Sequence, residues 1–372
     1  MNKTRPEIWF IYLGRRGALG RFSIELAEAA QHLSDFEARF IVSSQNEEIE
    51  NLKATGAKVS ELSTFSRGAS VENLQNLRVA QRKLRQWIEE NRPAAAVTLM
   101  PHIWSPILSR DIRKLGVPYF TIIHDVVPHP GDNTAWLTKW LSWDARNADT
   151  VITLSRAVAE RVIAKKLAHQ SQVLPLSHPD LTFGASRNNR VLPTDRPARV
   201  LFLGRIMEYK GLPLLAEAIG SLQNSGCAVD LGVYGSGSLG KARDGLMAVN
   251  ADIQNCWIDD SEIPSILAQH DIMACSHIEA SQSGVACVAL GSGMPIAAMP
   301  VGGLAEQVVT GQHGVLARRL SASALADAIK QLAKSRGFYQ AISKNINETA
   351  EARSMERFLA EIVFEVEAVR SA

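Results

Sequence analysis

The pattern of apolar residues predicts an α/β protein built from two doubly wound parallel sheets, and three observations support this fold class. Short apolar runs alternate with amphipathic segments of helical length along the whole chain. The alternation stops once, in a polar stretch that contains Pro193 and Pro197, and then begins again. A length of 372 residues is also too great for one ordinary hydrophobic core.

Residues 1–180 are predicted to form the first Rossmann-like domain. Its strands are expected at 7–13, 38–43, 95–100, 118–124, 150–154 and 172–176. Its helices are expected at 20–33, 71–91, 134–147 and 156–166. Residues 181–197 are predicted to be a linker.

Residues 198–350 are predicted to form a second domain of the same kind. Its strands are expected at 199–204, 228–234, 271–275 and 295–299. Its helices are expected near 212–224, 262–269, 284–292, 302–309 and 321–334. The segment 351–372 is predicted to hold a final amphipathic helix. Two such sheets bind ligands beyond the carboxyl ends of their strands, and a facing pair makes a cleft.

Composition excludes several classes of protein. The net charge of +2 is too small for a nucleic-acid coat. The four cysteines contain no CxxC pair, which favours reduced core residues. No apolar stretch reaches the roughly 20 residues needed to cross a bilayer, and no signal-peptide pattern opens the chain. We therefore expect a cytoplasmic protein.

Two loops carry groups that suit phosphate. The first follows strand 199–204 and places Arg205 and Lys210 on a glycine-bounded turn before a helix. The second, 277–285, follows strand 271–275 and opens a helix with small residues, so its backbone N–H groups can approach an anion. The alternatives are solvated surface charges for the first loop and an ordinary helix cap for the second.

Further short motifs accompany these loops in a fixed order. They are Phe202-Leu203-Gly204-Arg205 with Lys210-Gly211, Val233-Tyr234-Gly235-Ser236-Gly237, Ser276 through Gly284, Gly293-Met294-Pro295, and Val301-Gly302-Gly303-Leu304-Ala305-Glu306. In the first half, Gly14 to Gly20, His124-Asp125 and the run Ala148 to Ser155 are more loosely similar. Together they resemble the retaining family 4 glycosyltransferases of GT-B fold.

The resemblance implies roles for particular residues. Arg205 and Lys210 would neutralise the diphosphate of a UDP- or GDP-linked sugar, and Glu279 would contact the donor sugar as the first glutamate of the Glu-x7-Glu motif. His124 would point toward the donor sugar. The remaining donor-binding residues would be Gly14, Gly17, Gly204, Gly235, Gly237, Ser283, Gly284, Val285 and Glu306. The final helix would cross back onto the first domain, with closure about residues 178–197.

One departure from the family motif concerns the second glutamate. Counting back from Gly293 places it near Val288 or Ala289, where no carboxylate stands. This departure indicates a divergent branch of the family. No Asp-x-Asp motif occurs, so we expect neither a catalytic metal nor another cofactor, with cations and helix dipoles taking the metal's role.

For the histidines and for one group of tryptophans, the sequence allows both a structural and a functional interpretation. A single histidine after a strand is more often structural than catalytic, which applies to His124 and more strongly to His102 and His129. Trp136, Trp140 and Trp143 share one helix face, which is typical of a core contact. The alternative is contact with a membrane surface or a lipid-linked acceptor. Basic clusters allow the same alternative; they comprise Arg15, Arg16, Arg21, Arg78, Arg82, Lys83 and Arg85.

The sequence thus predicts a retaining, metal-independent glycosyltransferase with a glycan or lipid-linked acceptor, active in bacterial polysaccharide assembly. Association with the inner face of the membrane is compatible with it. A GT-B epimerase or inverting transferase is the alternative, because the fold is shared. The run Gly235 to Gly240 formally matches a dinucleotide fingerprint but lies on the domain's second strand, so a dehydrogenase is more distant. A non-enzymatic binding protein would leave the recurrent strand-end loops unexplained.

Overall fold

A computed structural model describes residues 5–64, 71–126 and 135–371, except for the side chains of 71–72 and 135–138. The described residues form two compact units. The first unit contains the described chain up to Ser177 and everything from Met355 onward, and the second contains residues 178–354. His129 lies outside the described residues.

A seven-stranded parallel sheet forms the centre of the first unit, in the order β3-β2-β1-β4-β5-β6-β7. The strands are β1 (Glu7–Tyr12), β2 (Glu37–Ser43), β3 (Lys58–Leu62), β4 (Ala95–Thr98), β5 (Tyr119–Ile123), β6 (Thr150–Thr153) and β7 (Val173–Pro175). The helices are α1 (Ala18–His32), α2 (Ile49–Ala54), α3 (Val71–Asn91), α4 (Ser105–Lys114), α5 (Ala135–Asn147) and α6 (Arg156–Ala164).

Both faces of this sheet are buried, as the continuous apolar run of β1 requires. Alternate residues of β1 point to opposite faces: Trp9 and Ile11 join the core beneath α3, α4 and α5. Phe10, on the other face, stacks on Phe40 of β2 at 5.5 Å between ring centroids. The sheet is therefore the middle layer of a three-layer unit.

The second unit holds a six-stranded parallel sheet in the order β10-β9-β8-β11-β12-β13. The strands are β8 (Ala198–Leu203), β9 (Val229–Tyr234), β10 (Asp252–Gln254), β11 (Ile272–Cys275), β12 (Ile296–Ala298) and β13 (Gly314–Leu316). The helices are α7 (Leu212–Asn224), α8 (Arg243–Ala248), α9 (Ile263–Gln269), α10 (Gly284–Gly291), α11 (Leu304–Gln307), α12 (Ala322–Lys334) and α13 (Arg336–Glu348). A final helix, α14 (Met355–Ser371), ends the chain.

The strand order reverses direction between β8 and β11 in the second unit. Strands after β8 first extend one way, through β9 and β10, and the chain then returns to add β11 on the other side of β8. Loops at the carboxyl ends of β8 and β11 diverge at such a switch point and leave a crevice for ligands. This topology places the two predicted phosphate loops side by side.

The structure confirms the predicted two-sheet α/β fold class and adds three strands that the sequence pattern did not indicate. They are β3, β10 and β13, each at an edge of its sheet. An edge strand is short or half exposed, as β10 is along its length, so it lacks the apolar run that marks a central strand. The additional helices α2, α4, α8 and α13 lie in stretches that we left unassigned.

Residues 181–197 are part of the second unit. Arg190 donates hydrogen bonds to three backbone carbonyls of that unit. Arg196 donates to both carboxylate oxygens of Asp271, at 2.7 and 3.1 Å. Because a paired, part-buried arginine restricts its own backbone, the segment is held to the rest of the unit at these two residues.

The described chain passes between the units at Ser177/His178 and again at Ser354/Met355. Residues beside these two crossings are bonded to each other: the Asp180 N–H donates to the Arg353 carbonyl at 2.9 Å. The Arg353 guanidinium donates to the buried Asp180 carboxylate at 3.1 Å. The two crossings therefore leave the second unit side by side.

The final helix belongs to the first unit, although it is the last element of the chain. Phe358 of α14 packs edge-on against Phe22 of α1 with 5.8 Å between ring centroids. Leu359 and Ile362 are fully buried on the same face of the helix. Helix α14 thus packs against α1 within the first unit.

The core interpretation of the tryptophan face of α5 is wrong for the two tryptophans whose side chains are described. Trp143 is 51% exposed and Trp140 is 36% exposed. The buried residues of the helix are instead Asp144 and Ala145, which face β5 and the core below it. The side chain of Trp136 lies outside the described residues.

Candidate functional site

The loop after β8 presents the two predicted cations at the carboxyl edge of the second sheet. Arg205 directly follows Gly204 and is exposed. A single turn of 3-10 helix, Glu208–Lys210, then leads through Gly211 into α7. Lys210 ends that turn and is half-buried. The two cations therefore stand in different environments, one open to solvent and one held.

A histidine that we did not predict as a site residue contacts the held cation. His277 follows β11, is 4% exposed, and its Nε2 lies 2.9 Å from Lys210 Nζ. The ammonium also lies 5.6 Å from the centroid of the Tyr209 ring. An ammonium only donates hydrogen bonds, so His277 Nε2 accepts.

Backbone contacts tie the loop after β8 to the loop after β11. The Ser276 hydroxyl donates to the Lys210 carbonyl at 2.7 Å, and the Ile278 N–H donates to the Tyr209 carbonyl at 2.8 Å. Gly211 has φ +65°, and a Cβ there would lie 2.0 Å from the Ser276 carbonyl oxygen. Only glycine satisfies both conditions, so this close approach explains the Lys210-Gly211 pair.

The glycines after β9 pack against the loop that carries Arg205. A Cβ on Gly235 would lie 1.9 Å from the Gly204 carbonyl oxygen, and one on Gly237 would lie 2.1 Å from that of Ile206. The Asn255 side chain exchanges two hydrogen bonds with the backbone of Gly237. The first role that the structure gives Gly235 and Gly237 is thus close packing of neighbouring loops.

The amino terminus of α10 provides the backbone donors of the site. Ser283 is the N-cap residue, and its hydroxyl accepts from the Ala286 N–H. The Gln307 side chain holds the Ser283 backbone through both its N–H and its carbonyl. A Cβ on Gly284 would meet nothing within 4 Å. The N–H groups of Gly284 and Val285 open the helix beside this space, where the helix dipole favours an anion.

The two predicted glutamates follow strands β11 and β12, one on a loop and one on helix α11. Glu279 is half-buried in the loop after β11, and Glu306 is exposed on α11. A Cβ on Gly302 would lie 1.9 Å from the Ala280 carbonyl oxygen, so these loops also touch closely. The structure thus brings the predicted site residues of the second unit to one edge of its sheet.

The residues at the position of the motif's second glutamate are apolar and buried. Val288 is 5% exposed and Ala289 is fully buried. Cys287, which stands eight residues after Glu279, is buried as well, and its sulfur accepts from Gln307. Among the described residues of α10, no carboxylate takes the place of that glutamate.

The predicted site residues of the first unit lie at the carboxyl ends of its own strands. Gly14 follows β1, and its carbonyl accepts from Asn46 at 2.9 Å. Gly17 has φ +109° and is the N-cap residue of α1, with open space beside it. The first turn of that helix therefore presents backbone N–H groups to solvent, which suits an anion.

Burial favours the neutral form of both candidate histidines described in the first unit. His124 follows β5, and its Nε2 lies 2.8 Å from the Leu99 carbonyl, so that nitrogen carries the proton. Burial lowers the pKa of His124. Burial lowers the pKa of His102 to about 4, and its Nδ1 accepts from the Trp104 N–H at the start of α4. His102 thus has a structural role.

The arrangement suits an anion with several oxygens better than a metal ion. Two cations and the first amides of α10 follow the adjacent strands β8 and β11, and a Cβ on Gly204 would lie 3.5 Å from the Val285 side chain. Backbone contacts fix the loops that carry them. Within the described ranges, no group of three or more His, Cys, Asp or Glu side chains could hold a metal ion. No described helix is long and apolar enough to cross a membrane.

Two family models match the chain, one in each unit. The model described as glycosyl transferases group 1 matches residues 197–335. The model described as a glycosyl transferase 4-like domain matches residues 17–177. Together they cover both sheets except strand β1, and all the site residues described above except Gly14.

Curated relatives are distant. A 2-deoxystreptamine glucosyltransferase of Streptomyces kanamyceticus is 24% identical over 247 residues, which cover 59% of this chain and 62% of the relative. A putative teichuronic acid biosynthesis glycosyltransferase of Bacillus subtilis is 26% identical over 249 residues, covering 64% and 60%. The chain thus spans about three fifths of the length of these relatives.

A solved structure shows the same fold. The HepE protein of Anabaena, in complex with UDP and glucose, superposes with a TM-score of 0.73 at 15% sequence identity. The alignment covers 97% of this chain and 100% of that one. The two Rossmann-like units are therefore those of the GT-B architecture.

Proposed function

Because this chain belongs to the GT-B glycosyltransferases, we propose that it transfers a hexosyl group from a UDP- or GDP-linked sugar to a hydroxyl of a glycan or lipid-linked acceptor. The observation that carries this proposal is that Arg205, Lys210 and the start of α10 follow the adjacent strands β8 and β11, whose loops are in direct contact. The solved relative of the same fold binds UDP and glucose.

The cations act on the leaving group. As the bond between sugar and diphosphate breaks, negative charge collects on the diphosphate oxygens. Lys210 is held in place by its loop, and Arg205 can offer its planar fork as the charge develops. The N–H groups of Gly284 and Val285 add fixed dipoles at the start of α10. These groups stabilise the transition state more than the bound donor, which raises turnover.

We propose retention of the anomeric configuration and no need for a metal ion. Front-face attack by the acceptor hydroxyl accounts for retention without a nucleophilic side chain. Glu279 accepts hydrogen bonds from hydroxyls of the donor sugar, and Glu306 lies nearby on α11. With no carboxylate at 287–289 to hold the ribose, diphosphate contacts supply more of the donor's binding energy than in typical family members.

The acceptor belongs to bacterial polysaccharide assembly in this proposal. A distant relative carries a name from teichuronic acid biosynthesis, which supports that class. We propose that the first unit meets the inner face of the membrane through α3 and α5. Between Asn73 and Ile88, α3 carries four exposed cations and no carboxylate. Leu74 and Val79 are exposed on α3, and Trp143 is exposed on α5.

A donor panel tests the proposal. Thermal unfolding of the full chain should shift upward with UDP- or GDP-sugars, and slow hydrolysis of one of them identifies the donor. Nuclear magnetic resonance of the released sugar gives the anomer, and the assay is repeated in excess EDTA. Release of an inverted anomer, a strict metal requirement or epimerised donor would each overturn part of the mechanism. Stabilisation by NAD alone would reject the proposal entirely.

A further inference from the structure

We propose that His277 is a positioning residue that fixes the Lys210 ammonium for an anionic ligand without cancelling its charge. The inference rests on the proposed function only for the identity of that ligand, the diphosphate of the donor. The contact between His277 and Lys210 is itself given by the geometry of the loops after β8 and β11.

The hydrogen bond between the two side chains defines the state of the histidine. Lys210 Nζ lies 2.9 Å from His277 Nε2. The ammonium has three N–H donors and no acceptor, so Nε2 contributes its lone pair and the proton of the ring sits on Nδ1. A doubly protonated ring would turn an N–H toward the ammonium and place two cations at hydrogen-bond distance.

At position 277, a neutral hydrogen-bond acceptor has an advantage over a carboxylate. An aspartate or glutamate would also hold Lys210, but its negative charge would compete with phosphate oxygens for the ammonium. Imidazole fixes the position of Nζ and leaves the full positive charge on it. The other N–H groups of the ammonium are suitable hydrogen-bond donors to phosphate oxygens.

The contrast with Arg205 supports a positioning role. Arg205 is exposed, whereas Lys210 is half-buried and stands over the Tyr209 ring. Tyr209 also lies beside the imidazole, with 6.3 Å between ring centroids. The lysine stem, which has four rotatable bonds, is thereby confined to one direction before any ligand arrives.

The distance between the two side chains is fixed by their backbones. Ser276 and Ile278, on either side of His277, bond to the carbonyls of Lys210 and Tyr209. Gly211 lets the Ser276 carbonyl approach closely. The 2.9 Å contact therefore follows from the packing of two strand-end loops, and a change of side-chain length at 277 should break it.

Two substitutions that introduce the same amide group on side chains of different length provide the test. In His277→Gln the amide oxygen stands near the position of Nε2, whereas in His277→Asn it falls short. Isothermal titration with UDP, GDP, uridine and guanosine separates the contribution of the diphosphate from that of the nucleoside. We expect His277→Asn to weaken diphosphate binding roughly tenfold or more, as for a lost hydrogen bond to a charged group. Nucleoside binding should not change, and His277→Gln should retain most of the affinity.

A double-mutant cycle strengthens the assignment. Because His277 acts through Lys210, adding His277→Asn to Lys210→Met should cause no further loss of diphosphate affinity. His32→Asn, an exposed histidine of the first unit, serves as the control. Equal losses in His277→Gln and His277→Asn, accompanied by equal drops in thermal stability, would show a merely structural role and overturn the inference. Unchanged diphosphate affinity in His277→Asn would do the same.

A measurement on the unsubstituted side chain covers the case of variants that do not fold. Nuclear magnetic resonance of the chain with ¹⁵N-labelled histidine reports the tautomer of each ring. We expect His277 with its proton on Nδ1, and a change of that signal in Lys210→Met. A proton on Nε2 in the wild type would overturn the inference. If neither UDP nor GDP binds the wild type, the proposed function fails, and this signal alone decides the role of His277.

Discussion

The two cations of the site differ in how their positions are determined. Arg205 follows the end of β8 and is exposed, so the ligand itself must order its side chain. Lys210 is ordered by His277 and Tyr209 before a ligand arrives. An ordered cation costs less conformational entropy on binding, whereas a mobile one can follow charge as it develops.

Removal of either cation should reduce turnover more than donor affinity. We expect Arg205→Ala and Lys210→Ala each to lower kcat by a factor on the order of 10² or more, because each stabilises charge on the leaving diphosphate. Steady-state kinetics with the donor found in the panel measures the effect. Lys334→Ala, an exposed lysine at the end of α12 in the same unit, is the matched control. Near-normal turnover in either site variant would refute the leaving-group role.

Asp144 gives the first unit a pH-dependent stability. It is fully buried on α5 and accepts hydrogen bonds from Tyr119 and Thr121. Burial raises its pKa from 3.8 to about 6, although these hydrogen bonds oppose the shift. Because the folded pKa exceeds the unfolded one, this contribution to stability is complete below pH ~4 and is lost as the pH rises through ~6.

Urea unfolding of the wild type and of Asp144→Asn from pH 4 to 7 tests this expectation. The difference in free energy of unfolding, wild type minus variant, should fall by roughly 3 kcal/mol across that range, since one pKa unit corresponds to about 1.4 kcal/mol. The asparagine does not titrate, so groups common to both proteins cancel. A difference that stays flat with pH would contradict the raised pKa.

Elements meet in the site through glycines that permit close approach. Gly211 satisfies two requirements at once, a positive φ and contact with the Ser276 carbonyl. Gly226, in the turn after α7, has φ +75°, and a Cβ there would meet nothing within 4 Å. Alanine variants of Gly211 and Gly226 share the cost of a positive φ, but only the Gly211 variant also clashes with the Ser276 carbonyl. Comparing the two variants therefore separates backbone strain from the steric clash.

Gly211→Ala should lose both stability and activity, whereas Gly226→Ala should lose stability alone. A left-handed alanine costs roughly 1–2 kcal/mol at either position. At Gly211 the added methyl also pushes the loop after β8 away from the loop after β11 and displaces Lys210. Thermal unfolding and kcat of both variants measure the two effects. Equal behaviour of the two variants would show that the close approach is unimportant.

The exposed face of α3 is the element that would meet a membrane. Its cations Arg78, Arg82 and Arg85 recur at helical spacing, and Leu74 is 57% exposed beside them. We expect the full chain to sediment with vesicles that contain phosphatidylglycerol and not with neutral vesicles. Replacing the three arginines by glutamine should weaken binding on the order of tenfold or more, and added salt should do likewise.

The basic pair Arg318 and Arg319 in the second unit offers the control. It lies beside Leu320, which is 49% exposed, but outside any helix. Substitution of this pair by glutamine should leave vesicle binding unchanged if α3 is the docking element. Equal losses in both variants would show general charge attraction, and sedimentation with neutral vesicles alone would reject the electrostatic mechanism.

At the scale of the whole molecule, the first unit depends on the end of the chain. Helix α14 buries Phe358, Leu359 and Ile362 in that unit, after the chain has completed the second. The Asp180–Arg353 pair holds the two crossings together where they leave the second unit. The first unit therefore depends on α14 for part of its hydrophobic core.

Two phenylalanines on α14 test this dependence. Phe358 is 4% exposed and Phe364 is 71% exposed. We expect Phe358→Ala to lower the free energy of unfolding by about 3–5 kcal/mol, as for other buried aromatic truncations. Phe364→Ala should have almost no effect. Hydrogen exchange should locate the loss in the first unit, and a loss spread equally over both units would contradict the assignment of the helix.

The sequence by itself determined the features that depend on neighbouring residues. The alternation of apolar runs with helical patterns predicted the two-sheet fold class, because the periods of strands and helices are local. The positions of Arg205 and Lys210 on a loop after a central strand followed from the same pattern. Edge strands such as β10 were not predicted, because a half-exposed strand of three residues has no distinctive period.

Only the tertiary structure decided which loops meet. Lys210 and His277 are 67 residues apart, and their contact follows from the placement of β11 beside β8. The exposure of Trp143 and the return of α14 to the first unit are likewise set by packing between distant segments. A local pattern states that a face is apolar, but not which surface covers it. The free energy of such a contact depends on both segments that form it, and a local stretch of sequence contains only one of the two segments.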